Sequence, residues 1–340
     1  LDFFLDSCLM ASNRFLKALG PGILFASTCI GVSHLVQSTR AGAMYGFAFL
    51  GAILLANIFK YPFFEFASRY TGATGKSIID GYAKEGRWVL ILYLIITVPS
   101  MFTVTAAVTF VTAGLLENLL QIQLSNNGWS ALLLILCIMI LAIGRYKVLD
   151  NLLKMVGVVL VLTTLTAFIT VLISGRAPQA PDFIAANPWS TSGIIFLIAL
   201  MGWMPTAVDI STWTSLWAEA KIKSSGFRPS LKETLADFNR GYWISAVLAI
   251  CFLTLGAYIM FGTGNELVYS SGGFAAQLID MFTSAIGSWS YFVISIAAFS
   301  TMFSTTITVI DGYTRAIQRT GFLLVNRSHR KEESRKSFVF

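Results

Sequence analysis

Two irregular segments interrupt apolar stretches of this chain, and they hold the residues that could do chemistry. The first contains His34, whose imidazole could bind a substrate or carry a proton near neutral pH. The second, residues 202–207, contains Met204 and precedes Asp209, a carboxylate inside an apolar span and therefore a functional candidate by default. The candidate substrate-binding residues are Gly31, Ser33, His34, Gly202, Met204, Thr206, Ala207 and Asp209, with Met204 and Asp209 as candidate metal ligands.

These side chains also have structural interpretations. His34 could be a packed, hydrogen-bonded histidine, and Asp209 could be a partner for a neighbouring helix. Lys60 is interpreted as a snorkelling side chain or as a partner of Glu65. Hydroxyl groups in the last apolar stretch could bind a coupling Na⁺ ion or equally bond their own backbone. They belong to Ser304, Thr305 and Thr306.

The elements that position these residues are membrane spans. Of the 340 residues, 56% are hydrophobic and 12% are charged, about half the charged fraction of a typical soluble domain. Because about 20 apolar residues cross a bilayer, the sequence predicts eight spans, at residues 16–39, 43–67, 88–118, 129–146, 151–174, 191–217, 241–263 and 287–325. This composition excludes a soluble enzyme, a disordered chain and a secreted disulfide scaffold.

The basic residues lie on one side of the predicted spans. All lysines and arginines except Arg40, Lys60 and Arg176 fall before the first span, in alternate connections, or at the end of the eighth span and beyond. The positive-inside rule then predicts a cytoplasmic N-terminus, and we expect a bacterial plasma membrane as the location. This topology accounts for the net charge of +7, so we expect a lipid bilayer and no nucleic acid as partner.

The two interrupted spans are the first and the sixth. An offset of five spans is typical of an inverted repeat, and broken helices at matching positions indicate a substrate site near the middle of the membrane. We therefore expect a first repeat at residues 1–174 and an incomplete second repeat at residues 188–340, which ends in the start of a ninth span. Ordinary kinks would explain either interruption alone. The pair together predicts a secondary active transporter that works by alternating access, with its substrate held between the two breaks.

Short motifs in chain order resemble the NRAMP family of proton-coupled divalent metal transporters. The matching segments are Gly20 to Gly22, Ala41 to Ala43, Thr74 to Lys76, Met204 with Pro205, Phe303 to Thr308 and Gly321 to Leu323. The resemblance implies an all-α polytopic protein of the leucine-transporter type, with inverted repeats, broken helices 1 and 6, and a chain that ends after helix 8. It also implies a divalent metal substrate such as Mn²⁺, Fe²⁺ or Mg²⁺.

The chain departs from this family at the metal site. The family's D-P-G-N motif falls on residues 31–34, so the metal-binding aspartate is Gly31 and the asparagine is His34. In the M-P-H-N motif Met204 is kept, whereas the histidine and asparagine become Thr206 and Ala207. A dication in a low-dielectric site needs negative ligands, and hard cations prefer oxygen.

The substrate therefore has several interpretations. The first is a small inorganic cation in a non-standard site, coupled to H⁺ or Na⁺. The second is a small anion such as bicarbonate, with Na⁺ as a partner ion, because the loss of the aspartate leaves positive helix ends at the breaks. The third is a non-transporting membrane receptor with the same fold. We expect no cofactor and no enzymatic activity.

Overall fold

The chain folds into helices in the part that the computed structural model describes, residues 20–122, 124–143, 146–264, 267–268 and 270–326. No strand occurs in these residues. The α-helices are α1 (Pro21–Cys29), α2 (Thr39–Tyr45), α3 (Leu50–Thr74), α4 (Ile78–Glu85), α5 (Arg87–Leu120), α6 (Asn126–Ile143), α7 (Tyr146–Ser174), α8 (Thr191–Trp203), α9 (Ser211–Ser225), α10 (Leu231–Ile259), α11 (Ser271–Ile286) and α12 (Tyr291–Val325). A π-helix (Val32–Ser38) joins α1 to α2, and 3-10 turns at Val208–Ile210 and Ser288–Ser290 precede α9 and α12.

Six helical segments are long and apolar enough to cross a membrane. They are Leu50–Thr74, Arg87–Leu120, Asn126–Ile143, Thr191–Ser225, Leu231–Ile259 and Ser288–Val325. Of the other two predicted spans, the first is divided into short helices and the fifth contains the shorter apolar stretch Val158–Ser174. The chain is thus an all-helical, multi-pass membrane protein, as the composition predicted. Residues 16–19 of the first predicted span and the ninth-span start at residues 337–340 lie outside the described residues.

Both predicted interruptions are breaks in helices. In the first span, α1 ends at Cys29 and helical structure resumes in π form at Val32. In the sixth span, α8 ends at Trp203 and Met204 adopts an extended conformation with φ −91° and ψ 128°. The cause is Pro205, because a proline disfavours α-helical geometry in the residue before it and has no amide hydrogen to continue the helix.

The first span packs tightly along α10 because both contribute glycines to the contact. A Cβ atom on Gly42 would overlap the backbone carbonyl of Leu253, and one on Gly241 would overlap the backbone of Gly22. Successive positions along the first span meet successive positions along α10, so the two segments run parallel. This close approach brings the first break within hydrogen-bonding distance of the α10 backbone.

The short helix α4 was not predicted, and buried polar contacts attach it to the long helices. Its Asp80 carboxylate is fully buried, pairs with Arg319 of α12, and accepts a hydrogen bond of 2.7 Å from the Ser77 hydroxyl. The Ser77 amide in turn donates to Glu219 of α9 at 3.1 Å. The helix therefore connects α9 and α12 at one end of the bundle.

Candidate functional site

The first span contacts the break of the sixth span at Met204. The Ser38 hydroxyl, at the end of the π-helix, lies 3.8 Å from the Met204 sulfur. Met204 is fully buried and packs in one apolar cluster with Ala41, Tyr45 and Leu253. The structure thus places Met204 against a part of the first span that follows its break and lies about 170 residues earlier in the sequence.

His34 is fully buried, and both of its ring nitrogens have partners. Nε2 lies 2.9 Å from the Ser245 carbonyl oxygen of α10, and Nδ1 lies 2.8 Å from the Ser33 hydroxyl. Because a carbonyl only accepts, Nε2 must carry a hydrogen and donate it. The Ser33 oxygen is also 2.6 Å from the Cys29 carbonyl oxygen. In this conformation His34 connects the first break to α10 rather than presenting a nitrogen to a substrate.

Gly31, where the resemblance places the family aspartate, lies directly against α12. A Cβ atom on Gly31 would be 2.8 Å from Thr305 Cγ2 and 3.2 Å from Thr305 Oγ1. The Thr305 hydroxyl donates to the Thr301 carbonyl at 3.0 Å and lies 3.3 Å from the Ser27 carbonyl oxygen. The space that a longer side chain at position 31 would enter is therefore filled by α12.

The three hydroxyl candidates on α12 have different neighbours. Thr305 lies beside the first break, as its contact with Gly31 shows. Thr306 instead faces α5, where its hydroxyl is 2.9 Å from that of Thr112. Ser304 is buried, and its carbonyl oxygen accepts a hydrogen bond of 3.0 Å from Thr308. Of the three side chains, only that of Thr305 is placed against a predicted site residue.

Lys60 of α3 lies at the sixth-span break, a position that the sequence analysis did not assign to it. Its ammonium group donates to the carbonyl oxygens of Met201, Gly202 and Thr206 at 2.7, 2.7 and 3.1 Å. The predicted pairing with Glu65 is wrong because Glu65 pairs with Arg69, one helical turn away. The sequence did contain a signal, because Lys60 is one of three basic residues that do not lie in the basic connections or at the basic ends of the spans.

Asp209 lies on the other side of the same break, at the start of the second half of the span. The residue is 8% exposed, and its Oδ1 accepts a hydrogen bond of 3.1 Å from Ser100 of α5. The Ser100 oxygen is also 2.9 Å from the hydroxyl of Tyr313 in α12. Asp209 Oδ2 is buried and has no hydrogen-bond partner. The start of a helix is electrostatically favourable for an anion, which helps to stabilise this carboxylate.

An open cavity of about 450 Å³ adjoins Asp209. Its lining is largely apolar, with polar groups contributed by Asp209, Ser211, Thr212, Tyr82 and Tyr93. The Tyr93 and Thr212 hydroxyl oxygens are 2.8 Å apart and bridge α5 to α9. Asp209 thus lines this cavity, while its unpartnered Oδ2 atom is itself buried.

A family match decides what kind of protein contains this site. The family model of natural resistance-associated macrophage protein-like proteins, Nramp, matches residues 22–337. The chain belongs to the Nramp family. It is also 39% identical over 326 residues to "Uncharacterized protein PM0681" of Pasteurella multocida (strain Pm70), a match that covers 95% of this chain and 73% of the relative.

Membership confirms the resemblance drawn from the motifs. Nramp is a family of metal-ion transporters rather than enzymes, so this chain is a metal-ion transporter of the Nramp type. Yet the described residues contain no group of three or more histidine, cysteine, aspartate or glutamate side chains that could hold a metal ion. Met204 packs against the first span, whereas Asp209 contacts α5.

Proposed function

We propose that this Nramp protein is a secondary active transporter that moves a divalent metal cation, with Asp209 as the charged ligand. The observation that carries the proposal is the buried, unpartnered Oδ2 of Asp209, a residue that lines the cavity. A buried carboxylate oxygen without a partner is costly, and a cation would remove that cost. The hydroxyls of Ser100 and Tyr313 add oxygen atoms of the kind that Mn²⁺ and Mg²⁺ prefer.

The hydrogen-bonding groups near the breaks favour this cation over a small anion. An ammonium group has three hydrogens, and those of Lys60 are matched by three carbonyl oxygens. Both nitrogens of His34 are also engaged. An anion would therefore find neither basic side chain free to donate, and it would be repelled by Asp209.

Alternating access is supported by the arrangement of the two broken spans. Helix breaks leave unpaired backbone groups that can line a substrate path, and here the first span contacts the sixth-span break at Met204. The parallel course of the first span and α10 supports the predicted topology, in which both begin on the basic, cytoplasmic side. We retain the two repeats, the bacterial plasma membrane and H⁺ or Na⁺ coupling as parts of the proposal.

The test is Mn²⁺ entry into proteoliposomes that contain the full-length protein and a metal-sensitive dye. We expect saturable entry that Asp209→Asn lowers by at least roughly tenfold, because loss of even an outer partner of a metal costs about 10- to 100-fold. Asp311→Asn is the matched control, since Asp311 is an α12 carboxylate already paired with Arg315. Imposed H⁺ and Na⁺ gradients, applied separately, identify the coupling ion.

Three results would contradict parts of this proposal. Absence of Mn²⁺ and Mg²⁺ entry with folded protein would exclude the cation and make bicarbonate the next substrate to test. Equal entry for wild type and Asp209→Asn would exclude Asp209 as the ligand. Saturable Mn²⁺ binding without any flux would indicate a receptor instead of a transporter.

A further inference from the structure

The carbonyl oxygens around Lys60 form a cation site at the end of α8. Met201 and Gly202 belong to the last turn of α8, where backbone carbonyls have no partner within the helix. The Thr206 carbonyl comes from the extended link that follows the break. The C-terminal end of a helix also carries partial negative charge. Three neutral oxygens converge there on one positive charge, much as rings of carbonyls hold cations in ion channels.

A lysine in an apolar span is costly unless its charge is compensated. Lys60 is partly buried, and direct compensation comes from these carbonyls, because the nearby carboxylate of Glu65 is paired with Arg69. The titratable groups within electrostatic reach of the ammonium are Asp209, across the break, and Cys29 of α1. The positive charge at the sixth-span break is thus the Lys60 ammonium, a group of the protein itself.

We propose that the Lys60 ammonium is a tethered cation that fills this carbonyl site and competes with the transported cation for it. An ion that enters the break uses the same oxygens only after Lys60 has left them. The exchange replaces the Lys60 ammonium by the transported cation at the end of α8. The partial negative charge of that helix end is therefore neutralised whether Lys60 or the transported cation is bound. This inference rests on the proposed function only for the identity of the cargo.

Lys60→Met tests the inference by emptying the site. We would measure thermal unfolding of the full chain in detergent, first in choline chloride buffer and then with Mn²⁺ added. In choline the variant should melt about 5 °C lower than wild type, because three carbonyls at the break, partly shielded from solvent, lose their donor. Added Mn²⁺ should then raise its midpoint by more than it raises that of wild type.

Two further variants keep the test decisive. Lys60→Gln retains a neutral donor that can stabilise the fold, and we expect its gain from Mn²⁺ also to exceed that of wild type. Lys232→Met, which removes an exposed lysine in the first turn of α10, should behave as wild type does.

The outcomes separate this inference from the proposed cargo. Equal gains from Mn²⁺ in wild type, Lys60→Met and Lys60→Gln would overturn the tethered cation. A gain in the two variants, with no stabilisation or transport by wild type, would support the tethered cation and contradict the divalent cargo.

Discussion

The contact between Gly31 and Thr305 gives a quantitative test of what can occupy position 31, where the resemblance places the family's aspartate. Gly31→Ala would place a Cβ atom 2.8 Å from Thr305 Cγ2. Carbon atoms prefer separations of about 3.5–4.0 Å, so the new atom would be at least about 0.7 Å too close. Both residues are buried, Thr305 to 2% exposure, which leaves little room for the clash to relax.

Overpacking of this kind costs about 1–3 kcal/mol. For a chain larger than about 150 residues, each kcal/mol moves the melting midpoint by roughly 2–4 °C. We therefore expect Gly31→Ala to lower the midpoint of the purified chain in detergent by roughly 2–12 °C. Gly31→Asp should lower it further, because it adds a buried charge to the same clash.

Thr305→Ser is the matched partner in a double-mutant cycle. It removes Cγ2, the nearest atom, and keeps the hydroxyl that donates to Thr301. By itself it should cost about 0.8 kcal/mol for one lost buried methyl group. In the Thr305→Ser background, Gly31→Ala should cost about 1–2 kcal/mol less than it does in wild type. If the two substitutions are additive, the contact does not determine what position 31 can hold.

Three further predictions are read from the same thermal midpoint. Asp80→Asn should lower the free energy of unfolding by about 3–5 kcal/mol because it breaks the ion pair of the buried Asp80 carboxylate with Arg319. Adding Arg319→Gln should recover part of this loss, and no recovery would contradict the pairing. Gly42→Ala should lower the midpoint because the added Cβ overlaps the α10 backbone. Gly51→Ala, at a position with open space, should not lower it. Equal effects of the two substitutions would contradict the close packing of the first span on α10. His34→Phe should cost about 0.5–1.5 kcal/mol because it removes the hydrogen bond that His34 donates to the Ser245 carbonyl, and an unchanged midpoint would exclude that bond.

Local backbone chemistry explains how much the sequence could predict. Runs of apolar residues long enough to cross a bilayer predicted the spans, because every backbone polar group in lipid must be paired within a helix. Pro205 predicted the break in the sixth span, because the effect of a proline is exerted on its immediate neighbours. The motifs around Gly42 and Met204 were sufficient to predict the family that the match over residues 22–337 confirmed. The short helix α4 was missed because eight residues carry too little periodic pattern to distinguish a helix from a loop.

The partners of the polar side chains were decided by tertiary structure. The sequence placed Lys60 and Glu65 together because they are close along one helix, but packing of α3 against the break gives Lys60 three carbonyls. Likewise, nothing local to Gly31 indicates that Thr305, some 270 residues later, fills the space beside it. Sequence separation carries no information about such contacts, since they depend on how whole helices pack. Local sequence patterns were therefore enough to predict the spans, the breaks and the family, whereas the packing of whole helices sets which atoms face each other at the site.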